Sequence, residues 1–132
     1  MKDLTAEKPH LVFVYGTLMQ GYHNHMLLED AIFLGQAQTA EKYRLTYTSF
    51  PMMTEVSEVK VKGELYRIDE REFDNLDILE GYPQLYYRKE IPILHREKTY
   101  SAWTYFYTRG EGRYEIPSGN YHDVRLNKFY SP

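Results

Sequence analysis

The sequence predicts an α+β fold in which consecutive short strands curl into a barrel-like sheet around a single domain. Three observations carry this. Apolar runs of strand length recur along the chain, only the stretch from Asp69 to Leu79 carries both start and stop signals of a helix, and no repeat period or low-complexity linker divides the elements. Strands that follow one another directly favour antiparallel pairing, and such sheets bury one face by curling or closing. With 132 residues the chain can bury one substantial core, so residues 1–132 are expected to form one domain.

The elements follow in order. Residues 1–9 are polar and read as a loose leader. Residues 11–15 (LVFVY) are almost continuously apolar and read as a strand buried on both faces. The stretch Tyr15-Gly16-Thr17-Leu18 then breaks the run, and Gly21 follows in polar sequence; this is either a plain strand exit or a backbone cradle for a ligand. Asn24 suits an N-cap for a short helix over 25–30. Residues 31–34 and 43–48 read as strands, and 49–53, with Pro51, as a break at a strand end or edge. From Val59 to Tyr66 apolar and polar residues alternate, which predicts a half-buried strand with Lys60, Lys62 and Glu64 toward solvent.

Asp69 followed by Glu72 predicts a capping box, with the helix running to about Leu79 before Gly81 and Pro83 end it. Residues 85–94 and 99–107 are two further strands, and the second is apolar on both alternating faces, so it should be central. Gly110 to Gly112 is read as a flexible turn and the tail from Ile116 as irregular.

Composition excludes several function classes. Apolar residues make up 42% of the chain, as in ordinary globular proteins. Net charge is −3, and Lys60-Val61-Lys62 is too short a basic run to make nucleic acid the expected partner. The chain has no cysteine, which rules out disulfides, thiolate zinc sites and a Cys nucleophile. The N-terminus lacks the apolar core of a signal peptide, and no stretch approaches the roughly 20 apolar residues of a membrane span. A cytoplasmic protein with no membrane partner is expected. Tyr is abundant, at 14 residues, and its apolar ring with a polar tip suits a pocket wall or a wet sheet face.

The middle helix contains a local conflict. At about 100° per residue, Glu80 falls between Phe73 and Leu76 on the helical wheel, a core-facing position for an ionisable side chain. An unpaired buried carboxylate costs several kcal/mol unless it is protonated or hydrogen-bonded. Glu80 therefore either lies past the helix end, facing outward or pairing with a base such as Arg88, or stands at a pocket wall with a raised pKa, as a general acid–base residue requires. His23, His25 and His122 lack supporting carboxylates and read as surface or capping residues, so no metal site is expected. Met52 and Met53 read as core filling, Gly110 to Gly112 lacks the Lys-Ser/Thr of a phosphate loop, and no nucleophile-elbow pattern occurs.

Taken together, the strand ending in Tyr15-Gly16-Thr17-Leu18 with Gly21 and Asn24-His25, the stretch GELYRIDEREFDNLDILEGYPQLYYR (63–88), and the segments FLGQAQT and AWTYFY resemble the gamma-glutamylcyclotransferase-like superfamily over about residues 11–122. The resemblance implies a small antiparallel β-barrel with flanking α-helices and a cavity at one end. It implies an enzyme that releases 5-oxoproline from a small-molecule γ-glutamyl amine without a cofactor. Glu80 matches the family's general acid–base residue, and Tyr15, Gly16, Thr17 and Leu18 match the loop that holds the glutamyl part, chiefly through backbone N–H groups. Tyr121 sits where some members place a Tyr that closes over the substrate, although packing onto the barrel explains it equally. Two other readings stay open: a binding domain that uses the same cavity without turnover, and an interaction protein with a Tyr-rich sheet. The leaving amine and the oligomeric state are not legible.

Overall fold

A computed structural model of the chain describes residues 7–124. The first strand, β1 (His10–Val14), has Val12, Phe13 and Val14 all buried, as its continuous apolar run predicts. A 3-10 helix over His23–Leu28 follows, then β2 (Ile32–Thr39), β3 (Tyr43–Tyr47), β4 (Pro51–Val59), β5 (Lys62–Ile68), helix α1 (Glu70–Glu80), β6 (Tyr86–His95), β7 (Lys98–Tyr107) and the short β8 (Tyr114–Glu115). Among the described residues no helix is long and apolar enough to cross a membrane.

Five strands close into a barrel in the order β1-β5-β2-β6-β7, and β4-β3-β8 form a separate three-stranded sheet. Every neighbouring pair in the barrel is antiparallel except the closing one, where Val12 of β1 meets Trp103 of β7 in parallel. The cause is parity: in a ring of alternating strand directions, an odd number of strands leaves one pair running the same way. Side-chain bonds support this closure. Thr104 Oγ1 donates to the Phe13 carbonyl at 2.9 Å, and Tyr15 Oη donates to the Tyr105 carbonyl at 2.7 Å.

The helix starts as its sequence predicts. The Glu72 N–H donates to Asp69 Oδ1 and the Asp69 N–H to Glu72 Oε1, both at 2.8 Å, and Lys8 Nζ bridges the two carboxylates. It ends at Gly81, whose φ of 64° lets the Tyr82 N–H reach back to the Asp77 carbonyl at 2.9 Å. Phe73 and Leu76 are its buried apolar residues and lie toward the barrel core.

Four expectations are corrected. Asn24 does not cap a helix over 25–30. The short helix is of 3-10 type, begins at His23 after an extended Tyr22, and has no side-chain cap; Asn24 Nδ2 donates instead to Thr17 Oγ1 at 2.9 Å. β2 runs on to Thr39 rather than stopping at Leu34, because a bulge between Phe33 and Gly35 absorbs the glycine and keeps the pairing with β5. The segment 49–53 is a break only at its start: Pro51 opens β4, where a missing N–H is tolerated, and pairs with Tyr47. Glu64 does not face solvent. It is 2% exposed, and accepts from the Gln20 N–H and Tyr66 Oη, each at 2.9 Å. β5 has a barrel strand on each side, and the chain leaving β1 crosses its Glu64 face, so simple alternation fails there.

Candidate active site

The strand β1 delivers its last residues to one end of the barrel, where the backbone at Gly16 passes so close to the start of β4 that a side chain has no room. A Cβ on Gly16 would sit 2.3 Å from Pro51 Cγ at the start of β4. The loop that follows is tied down on several sides. The Met19 N–H closes a turn onto the Gly16 carbonyl at 3.0 Å, Asn24 holds the Thr17 hydroxyl, His25 Nδ1 bonds the Leu18 carbonyl at 2.9 Å, and the buried Glu64 carboxylate accepts from the Gln20 N–H. Among the described residues none accepts a hydrogen bond from the N–H of Thr17 or Leu18. The loop is thus fixed from behind while two backbone donors remain available.

The loop borders a cavity of about 290 Å³. Its floor is apolar and buried, built from Phe13 and Val14 of β1 and the rings of Tyr86 and Tyr105 from β6 and β7. Phe50, Leu79 and Leu85 line it nearer solvent, Phe50 and Leu79 being 38% and 37% exposed. Glu80, the last residue of α1, is half-buried in its wall, on the core-facing side that the helical period assigns to it.

Among the described residues Glu80 has no charged partner. Arg88 is occupied elsewhere: its Nε and a terminal nitrogen donate to the two oxygens of Asp77 at 2.9 and 3.2 Å, and its guanidinium stacks over Phe73, Tyr82 and Trp103. Loss of solvent therefore acts unopposed on Glu80 and raises its pKa to about 7. A carboxyl titrating there can take or give a proton near neutral pH. The tyrosines around it behave differently. Burial, and after it neighbouring charges that include Glu80, push the phenols of Tyr15, Tyr86 and Tyr105 up, so they stay neutral. Each spends its proton away from the carboxyl: Tyr15 on the Tyr105 carbonyl, Tyr86 on the Pro51 carbonyl at 2.8 Å, and Tyr105 on Asp77 Oδ1 at 2.6 Å.

Of the residues singled out in the sequence, Tyr15, Gly16, Thr17, Leu18 and Glu80 all line this one cavity. Tyr121 is not among its lining residues. It is buried and stacks obliquely on Tyr22 with ring centres 5.4 Å apart. Sequence reasoning missed Asn24 as the partner of Thr17, and missed Phe50, Pro51, Tyr86 and Tyr105 in the cavity wall. These come from separate strands with no shared motif. The only signals pointing to them were the tyrosine excess and a last long strand apolar on both faces.

The family model described as "Gamma-glutamyl cyclotransferase, AIG2-like" matches residues 12–123. The "Putative gamma-glutamylcyclotransferase MJ1514" of Methanocaldococcus jannaschii is 38% identical over 117 residues, which cover 86% of this chain and 97% of that protein. The gamma-glutamylaminecyclotransferase of Homo sapiens is 40% identical over 93 residues, covering 63% of this chain and 61% of that one. Among solved structures, an aig2-like protein from Mus musculus superposes with a TM-score of 0.74 at 25% identity, covering 83% of this chain and 86% of its own. An uncharacterized protein from Pyrococcus horikoshii does so with a TM-score of 0.75 at 25% identity, over 92% and 98%.

Proposed function

We propose, since the chain belongs to the AIG2-like gamma-glutamyl cyclotransferase family, that it is a cofactor-independent cyclotransferase that converts a small γ-glutamyl amine into 5-oxoproline and the free amine, with Glu80 as general acid–base. The observation that carries the reading is Glu80 itself. Among the described residues it is the lone Asp, Glu, Lys, Arg or His side chain lining the cavity, and its pKa lies near 7.

The reaction needs little else. The substrate's own α-amine is the nucleophile, so ring closure is intramolecular and correct orientation supplies much of the acceleration. The Glu80 carboxylate takes one proton from the α-ammonium, and the freed lone pair attacks the γ-carbonyl carbon. Negative charge then develops on the carbonyl oxygen, which the fixed N–H groups of Thr17 and Leu18 can stabilise. The bond from this carbon to the amine nitrogen breaks as Glu80 returns its proton to that nitrogen. The ring nitrogen's second proton leaves through the same carboxylate. The lactam keeps one N–H and the amine departs as an ammonium ion, without water being consumed.

In this reading Tyr15 and Gly16 set the path of the cradle. Tyr121, which lies outside the cavity lining, is assigned to enclosing the substrate on the strength of the family pattern.

The test is release of 5-oxoproline from a panel of γ-glutamyl amines by the wild-type and Glu80→Gln proteins. Turnover by the wild type with a loss of at least about 100-fold in the variant is the expected result. A variant that keeps turnover removes Glu80 from the chemistry. Ligand-raised melting of both proteins with no product from either favours a binding domain instead.

A further inference from the structure

The cavity is graded from a polar wall to an apolar mouth, and among the described residues no cationic side chain lines it. Glu80 and the Thr17–Leu18 loop supply the polar groups, whereas the most solvent-exposed lining side chains are Phe50 and Leu79, with half-buried Leu85 beside them. We infer that the leaving amine is a small primary amine whose tail is apolar and uncharged. This rests on the cyclotransferase reading above and adds the substrate class to it.

Charge supports the assignment first. Among the described residues no Lys, Arg or His lines the cavity, and the guanidinium of Arg88 is already committed to Asp77 and three rings. Every γ-glutamyl head already brings one α-carboxylate into the site, so a tail bearing a second would add to the negative charge around Glu80, and like charges in a partly desolvated site repel. A cationic tail meets the opposite problem. The walls it would cross are Phe50, Leu79 and Leu85, whose side chains offer an ammonium no hydrogen-bond acceptor.

Shape supports it as well. A volume of about 290 Å³ lies at the small end of the usual ~300–1,000 Å³ for ligand pockets, which leaves room for a compact tail beyond the glutamyl head. Phe50 and Leu79 expose large apolar surface at the opening, and a short alkyl or arylalkyl tail would cover it.

Three substrates of matched length separate the possibilities: the γ-glutamyl amides of butylamine, of β-alanine and of 1,4-diaminobutane. The butylamide is expected to have kcat/KM at least about tenfold above either charged analogue, the range in which a few apolar contacts discriminate. Leu79→Ser should narrow that gap several-fold by lowering kcat/KM for the butylamide. Phe50→Ser provides a second, independent variant should circular dichroism show the first unfolded, and both side chains are exposed enough to replace. Equal or faster turnover of a charged tail, or a gap that survives both substitutions, overturns the assignment while leaving the cyclotransferase reading intact. If none of the three releases 5-oxoproline while another γ-glutamyl amine does, the tail assignment falls and the cyclotransferase reading stands; if no γ-glutamyl amine does, both fall.

Discussion

Glu80 links stability and activity through one proton. Its carboxyl ionises near 4.5 in an unfolded chain and at about 7 in the folded protein, because burial disfavours the charge. Between those values the folded state binds the extra proton. Stability from this group is therefore fully present below about pH 4.5 and is lost as pH rises through 7. The shift corresponds to roughly 3 kcal/mol. Glu80→Gln lacks the charge, so it should match the wild type near pH 4 and exceed it by about 3 kcal/mol at pH 8, read from urea midpoints at the two pH values. A midpoint difference that does not change with pH would mean that Glu80 is well solvated. The position of Glu80 was legible, since a seven-residue step from Phe73 returns it to the core side of the helix. Its lack of a partner was not, because only the folded chain reveals that Arg88 is held by Asp77. Glu64 is the opposite case. Alternation assigned it to solvent, yet the loop leaving β1 lies over it and uses its carboxylate as an anchor.

At the level of elements, α1 has two ends with different tasks. The capping box Asp69/Glu72 starts the helix, about 15 Å along its axis from Glu80. The pair Asp77–Arg88 fastens its last turn to β6, and Tyr105 extends that contact to the cavity wall. Asp69→Ala should lower stability by about 1 kcal/mol with kcat unchanged per folded molecule, since only the distant end loses a hydrogen bond. Arg88→Lys, which cannot form the two parallel bonds or stack on three rings, should lower both stability and kcat. Urea titration combined with turnover checks the contrast, and equal kcat in the two variants would contradict it. Local chemistry made this helix readable at both ends. β4 and the 3-10 helix were less readable, because proline and polar residues at their starts resemble loop sequence, and their pairing partners lie elsewhere in the chain.

The whole molecule depends on closing an odd-stranded ring. The parallel contact of β1 with β7 offers few ladder bonds, and Thr104 adds a side-chain bond from its buried hydroxyl to the Phe13 carbonyl. Thr104→Val keeps the volume but removes that donor, and should cost about 1–2 kcal/mol. In a chain of this size such a loss lowers Tm by roughly 3–6 °C, measurable by calorimetry; an unchanged Tm would show that the closure does not rely on this bond. Phe13 also floors the cavity, so the same bond supports the site. By itself the sequence determined the strand-rich class, the capped helix and its stop at Gly81, the break after Tyr15, and Glu80 as an ionisable group on a core-facing period. All of these are set by neighbours within a few residues, where propensity, capping and periodicity act. Tertiary structure alone decided the strand order, the parallel closure, the burial of Glu64, the tyrosine floor and the pKa of Glu80. Those depend on which distant segments come together and exclude water, and desolvation is a property of the assembled cavity rather than of any stretch of chain.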